Sequence, residues 1–308
     1  MSNINICAQD AYLALYPQSK KPVGVNWPDE GKSREQALAT NGNLGLLLGP
    51  KSDVMDVDLD CREAKGLAQL ILPKPFAQFD RGTSDSGHYL YKAITCGPTK
   101  KFSGNGPKST LVELRGDGSQ TMIPPSIHPD GSRLNFTDIN QDAPEIEYAD
   151  LLKSVSLLAA CSEVAQLWVS GRRHELALSF SGLCLKQNVD PQLLINIIQR
   201  ICQTTGDRDE QDRMNCVRTS VGKPHDELRG YQGLVDCIGK AVAERIAKLI
   251  GIYCGTEERS LSVVKEAEAE VINFGRFTDG ANVTEAKLGE TFGQWLDGKA
   301  VYVFQTRQ

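Results

Sequence analysis

The stretch VMDVDLD, residues 54–60, restricts this chain more than any other. Its side chains favour a β-strand, yet Asp56, Asp58 and Asp60 recur at every second position. Successive strand residues point to opposite faces. Met55, Val57 and Leu59 therefore belong to one face, and the three aspartates to the other. Carboxylates aligned on one face repel one another unless positive charge lies among them. Such a strand has a core on one side and either water or a cation on the other. On charge repulsion alone, removing Asp56 and Asp58 together should leave metal-free stability unchanged or raise it. A calcium loop could supply the cation, but an EF-hand beginning at Asp56 needs Gly at its sixth position and Glu at its twelfth. Those positions hold Cys61 and Leu67.

Two further stretches carry chemistry. In TSDSGHYLY, residues 83–91, a Gly/Ser loop enters a strand, and Ser86 and His88 lie two apart on one side of it. A lone histidine in that setting is ordinarily a hydrogen-bonded residue, but beside a Gly/Ser loop it can also donate to a phosphate oxygen. In LVELRG, residues 111–116, Glu113 and Arg115 share a strand face. That pair reads either as a cross-strand salt bridge, worth little at a surface, or as a metal ligand beside a phosphate clamp.

The 308 residues suffice for two domains. Residues 1–150 alternate short apolar runs with Gly/Pro breaks and read as mixed α/β. NLGLLLG (43–49) and VMDVDLD read as strands joined by a turn at PKSD, HYLYKAI (88–94) and TLVELRG (110–116) as further strands, and REAKGLAQLI (62–71) as a helix ending before Pro73. PPSIHPDGS (124–132) cannot be regular structure. From about residue 160 apolar residues recur three or four apart, as at Leu176, Phe180 and Leu183, and predict an all-α bundle over 160–250. Asp190-Pro191 is a helix start and Gly206 a helix end. Residues 255–270 read as a polar linker helix or connector, and FGQWLDGKAVYVFQTRQ as strand-like.

The net charge of −5 argues against a broad nucleic-acid-coating surface without excluding a local basic groove. The start of the chain has no signal-peptide pattern, and no apolar run approaches the roughly 20 residues of a membrane helix. Nine scattered cysteines without a CxxC pair give a zinc site little support and fit reduced thiols in a cytoplasmic protein.

Taken together, these stretches resemble the primase–polymerase (prim-pol) branch of the archaeo-eukaryotic primase superfamily. NLGLLLGPKSDVMDVDLD resembles its strand–turn–strand entry into a DxD motif, SDSGHYLY its SxH motif, and VELRGDGSQTMIPPSIHPDG its third acidic motif and following loop. KKPVGVNWP, with Lys21 and Trp27, resembles its opening, and the likeness covers nearly all of residues 10–137. The resemblance implies an RRM-related catalytic core and metal-dependent nucleotidyl transfer. Asp56, Asp58 and Glu113 would ligate Mg²⁺ or Mn²⁺, and with His88 would be the catalytic residues. Ser86, His88 and Arg115 would bind the triphosphate of an incoming NTP or dNTP. Asp60 lies outside the motif, as a group supporting the ligands, and His128 is read as structural.

The helical part resembles the bundle that follows prim-pol modules in plasmid and phage replication proteins. Arg172 and Arg173 are then expected to contact single-stranded DNA template, or else to be a solvated helix start. Residues 251–308 would be a linker and the opening of a helicase-associated region, with a helicase as partner, in the cytoplasm of a bacterial or phage-infected cell. The chain itself has no GxxxxGK[ST] phosphate loop. Two alternatives stay open: a DNA-binding replication initiator with a silent site, and a metal-dependent nuclease.

Overall fold

The computed structural model describes residues 6–7, 10–82, 85–105 and 109–256. In chain order they form β1 (Tyr12–Leu15), α1 (Arg34–Leu38), β2 (Asn43–Leu47), β3 (Val54–Leu59), α2 (Arg62–Ile71), β4 (Ala77–Asp80), β5 (Gly87–Thr95), β6 (Lys100–Ser103), β7 (Thr110–Arg115), β8 (Gln120–Ile123), β9 (Asn135–Ile139) and β10 (Ile146–Glu147). Six longer helices follow: α3 (Tyr148–Gln166), α4 (Arg173–Lys186), α5 (Pro191–Thr205), α6 (Glu210–Arg218), α7 (Gly230–Ile238) and α8 (Lys240–Cys254). The expected connector and strand-like tail, from residue 257 on, lie outside the described residues.

The strands form two sheets. The larger runs β6-β7-β3-β5-β4-β9, with β10 parallel to β5, and the smaller runs β1-β2-β8. NLGLLLG and VMDVDLD, read as strands joined by a turn, enter different sheets and pair through a single bridge, Gly49↔Val54. Their lengths and side chains mark both as strands, but the partner of each comes from elsewhere in the chain. Val54, Ala77, Phe79 and Leu90 of the larger sheet share a core with Leu44, Leu46, Met122 and Ile123 of the smaller. On the opposite side the larger sheet meets helices, with α3 packed along β7.

Local sequence explains the element ends. Asp190 caps α5, accepting from Leu193 N at 2.7 Å, with Pro191 at its first position. Gly206 ends it at φ 69, a conformation that favours glycine. Gly116 is required for a different reason: a Cβ there would lie 2.0 Å from the carbonyl oxygen of Gly97. That close approach folds the chain back directly after Arg115.

Helical structure begins at Tyr148, earlier than the periodicity implies. Helix α3 is buried nearly all round from Val155 to Ala165, so it has no polar face to alternate with an apolar one. It packs on β7, α2 and α8 together. The described residues fall in one unit, Met1–Lys265. A cut at residue 150 would pass through the first turn of α3 and strip this helix from the sheet.

Candidate active site

Strand β3 lies between β5 and β7. The antiparallel registers set Asp58 opposite both His88 and Glu113, and Asp56 opposite Leu90 and Arg115. Side chains from three strands thus meet on the face turned toward the smaller sheet. That face is not solvated: Asp56 is 0% and Asp58 5% exposed. The required positive charge comes from the protein itself. The Arg115 guanidinium pairs with Asp58, donates through Nε to Glu113 at 3.0 Å, and lies 3.9 Å from Asp56. The His88 Nδ1 meets Asp56 Oδ2 at 3.0 Å, and its ring stacks on Phe79 at 4.5 Å.

Burial opposes ionisation of Asp56, but the charges of His88 and Arg115 outweigh it and hold the carboxyl below its ordinary range. Burial likewise opposes a charged His88, and the carboxylates of Asp56 and Asp58 raise its pKa regardless. Arg115 is held still more firmly protonated by Asp58, Asp56 and Glu113, against the same burial. The expectation that removing Asp56 and Asp58 costs no stability changes accordingly. Their repulsion is already neutralised, and deleting them would leave Arg115 and His88 short of buried partners.

Asp60 behaves differently. Burial, then the Asp58 charge, raises its pKa to about 6. Between the ordinary aspartate value and about 6 the folded chain binds more protons at this residue than the unfolded chain does. Metal-free stability should therefore fall as pH rises through that window. Asp60→Asn should flatten this part of the profile in urea melts run from pH 4 to 7. An unchanged slope would show that Asp60 titrates normally.

The carboxylates also test whether a divalent ion fits. Oxygens of Asp58, Asp60 and Glu113 all lie within 4.8 Å of one another. Oxygen-only donors at that spacing suit Mg²⁺ or Mn²⁺. Asp60 thus joins two of the three ligands expected from sequence, while Asp56 is turned to His88. Arg115 occupies oxygens of Asp58 and Glu113, so an ion entering there competes with it.

Around the carboxylates a cleft is lined by His88, Ser86, Arg115, Lys20, Arg81 and His128, among others. His88 Nε2 is 3.6 Å from Asp58, beyond hydrogen-bond range, and borders this space. Arg81 was not singled out from sequence. It donates to Ser86 Oγ at 3.1 Å, meets His128 Nδ1 at 3.3 Å and pairs with Asp130 at 2.5 Å. His128, read as structural, is thus part of the cleft wall. The available signal was a cation directly before the Gly/Ser loop. Of the opening KKPVGVNWP, Lys20 rather than Lys21 lines the cleft, and Trp27 packs against the core.

In the helical part, Arg173 is committed. It pairs with Asp207 at 3.2 Å and donates to the Trp168 carbonyl at 3.3 Å, while Asp207 also accepts from Trp168 Nε1 and Arg213 Nε. Arg172 is exposed.

Residues 8–147 match the family model Prim-Pol, the N-terminal domain of bifunctional DNA primase/polymerases. The match covers every residue of the cleft and excludes helices α3 to α8. No curated protein matches the chain.

Proposed function

We propose, with residues 8–147 being a Prim-Pol domain, that this chain makes and extends primers on a single-stranded DNA template by metal-dependent nucleotidyl transfer. The observation that carries this reading is the convergence of Asp58, Asp60 and Glu113 oxygens within 4.8 Å, beside a cleft lined by cationic side chains. These three carboxylates would hold Mg²⁺ or Mn²⁺. Bound there, divalent ions supply charge to the attacking 3′ oxygen and the departing pyrophosphate. Asp56 fixes the His88 ring through Nδ1 and favours its charged form, so Nε2 is left to donate to a phosphate oxygen. Arg81, Lys20 and Ser86 offer further donors to a triphosphate. Arg115 balances Asp58 and Glu113 in the metal-free chain, and with an ion in that place its guanidinium would be a further donor to the same phosphates.

The wider setting belongs to the same proposal: plasmid or phage replication, NTP or dNTP as substrate, Arg172 on the template backbone, and a helicase acting downstream. Among the described residues no helix is long and apolar enough to cross a membrane. A second reading, a DNA-binding initiator with a silent site, is favoured by one observation: Arg115 already neutralises the carboxylates.

Incubation with primed single-stranded DNA, labelled deoxynucleotides and Mn²⁺ separates the readings. Products longer than the primer support polymerisation, an unchanged primer the silent module, and shorter products a nuclease. Within this scheme His88→Gln should slow extension by roughly 10- to 100-fold, the loss of one charge-assisted hydrogen bond. Template affinity, read by fluorescence anisotropy, should barely change. An equal loss of template affinity would move His88 from the triphosphate to the DNA.

A further inference from the structure

Outside the cleft, the described residues contain one other convergence of metal-capable groups: His174, Asp212 and Cys216. His174 lies in the first turn of α4, and Asp212 and Cys216 stand four apart on one face of α6. The His174 Nδ1 is 2.8 Å from Asp212 Oδ2 and 3.8 Å from Cys216 Sγ. Both neighbours therefore face the same ring nitrogen. A catalytic relay uses the two nitrogens of an imidazole for different partners. Three donors aimed at one point are instead the arrangement of a coordination site. The bond lengths of a tetrahedral zinc ion place nitrogen, oxygen and sulfur donors about 3.3–3.7 Å apart. The distances here bracket that spacing, and the exposed His174 and Asp212 side chains have room to adjust.

We propose that His174 Nδ1, an Asp212 carboxylate oxygen and Cys216 Sγ bind one zinc-type ion, with water in the fourth position. Cys216 is 3% exposed and forms the floor, and the half-exposed His174 and Asp212 close over it. On binding, the thiol proton and any proton on Nδ1 pass to solvent. The 2+ ion, thiolate and carboxylate then sum to zero. With a neutral imidazole, binding takes the cluster from the single negative charge of Asp212 to zero; Arg213, which also pairs with Asp212, keeps its bonds to Asp207 at 3.0 Å and Asp209 at 3.3 Å. Nitrogen and sulfur donors select against the Mg²⁺ or Mn²⁺ suited to the carboxylate cleft, so the two sites divide metals by chemistry. The ion would clip α4 to α6, outside residues 8–147.

The test uses the full chain, reduced, freed of metal with a chelator and titrated with Co²⁺ in millimolar Mg²⁺. One equivalent should bring up a thiolate-to-cobalt absorption band that Zn²⁺ then displaces. Cys216→Ser should abolish the band, and His174→Gln should weaken binding by at least about tenfold, as the loss of a direct ligand. Asp58→Asn should change neither. No band, a band surviving in Cys216→Ser, or a band lost in Asp58→Asn overturns the site. If Cys216→Ser does not fold, undiminished cobalt affinity in His174→Gln overturns it equally.

Discussion

Asp58→Asn is expected to slow primer extension by about 10²–10³-fold, the range seen when one preorganised electrostatic group is removed from an active site. Asp58 is central in the literal sense. Its strand is the one flanked by both β5 and β7, and its register partners are His88 and Glu113. It also belongs to the set of carboxylates spaced for a divalent ion. Asparagine keeps the shape, so the change removes charge and a ligand without opening a cavity. The loss should appear in the rate at saturating nucleotide and shrink as Mn²⁺ is raised, because a weakened metal site is partly refilled by mass action. Template binding should persist. Extension at the wild-type rate would remove Asp58 from the chemistry and leave the silent-module reading.

The second large effect is on stability. Arg115→Met should cost about 3–5 kcal/mol in metal-free protein, the usual result of removing one partner from a buried ion pair. For a protein of this size that lowers the thermal midpoint by roughly 5–8 °C. The guanidinium is within ion-pair range of Asp56, Asp58 and Glu113, and the two aspartates are buried on the central strand β3. Methionine fills much of the volume but leaves those carboxylates facing one another with only His88 between Asp56 and Asp58. Millimolar Mg²⁺ should then stabilise Arg115→Met by more than it stabilises the wild type, because the ion no longer competes with a resident cation. Equal melting of the two proteins without metal would mean that Arg115 contributes no compensation. Equal magnesium shifts would mean that it does not share the ion's ligands.

What was legible in the sequence follows from which forces are local. The alternation Met55, Asp56, Val57, Asp58 reports a strand and its two faces, because side-chain direction depends only on position along it. The Asp190-Pro191 cap and the Gly206 stop are equally local, and helix α5 runs between them. Helix α3 was obscured because from Val155 to Ala165 it is enclosed on nearly all sides, and a buried helix has no periodicity to read. The gap between α7 and α8 at Gly239, inside what reads as one apolar series, is set by φ 83 at a residue helices often tolerate. Within the site, residue types were readable and partners were not. Nothing near Asp56 in the chain says that His88 will cross the register to it. Arg81 gains His128 and Asp130 from more than forty positions away, and Arg173 is claimed by Asp207 in the same manner. Asp60 was set aside because the family motif omits it, whereas the end of β3 brings it within reach of Glu113.

The most direct measurement is the anomalous diffraction of a crystal of this protein holding Mn²⁺ and a non-hydrolysable deoxynucleoside triphosphate. Manganese should appear between Asp58, Asp60 and Glu113, with Asp56 still against His88 Nδ1 and the triphosphate on the side of His88 Nε2 and Arg81. Manganese bound elsewhere, or a nucleotide seated away from this cleft, would contradict the assignment of these carboxylates to nucleotidyl transfer.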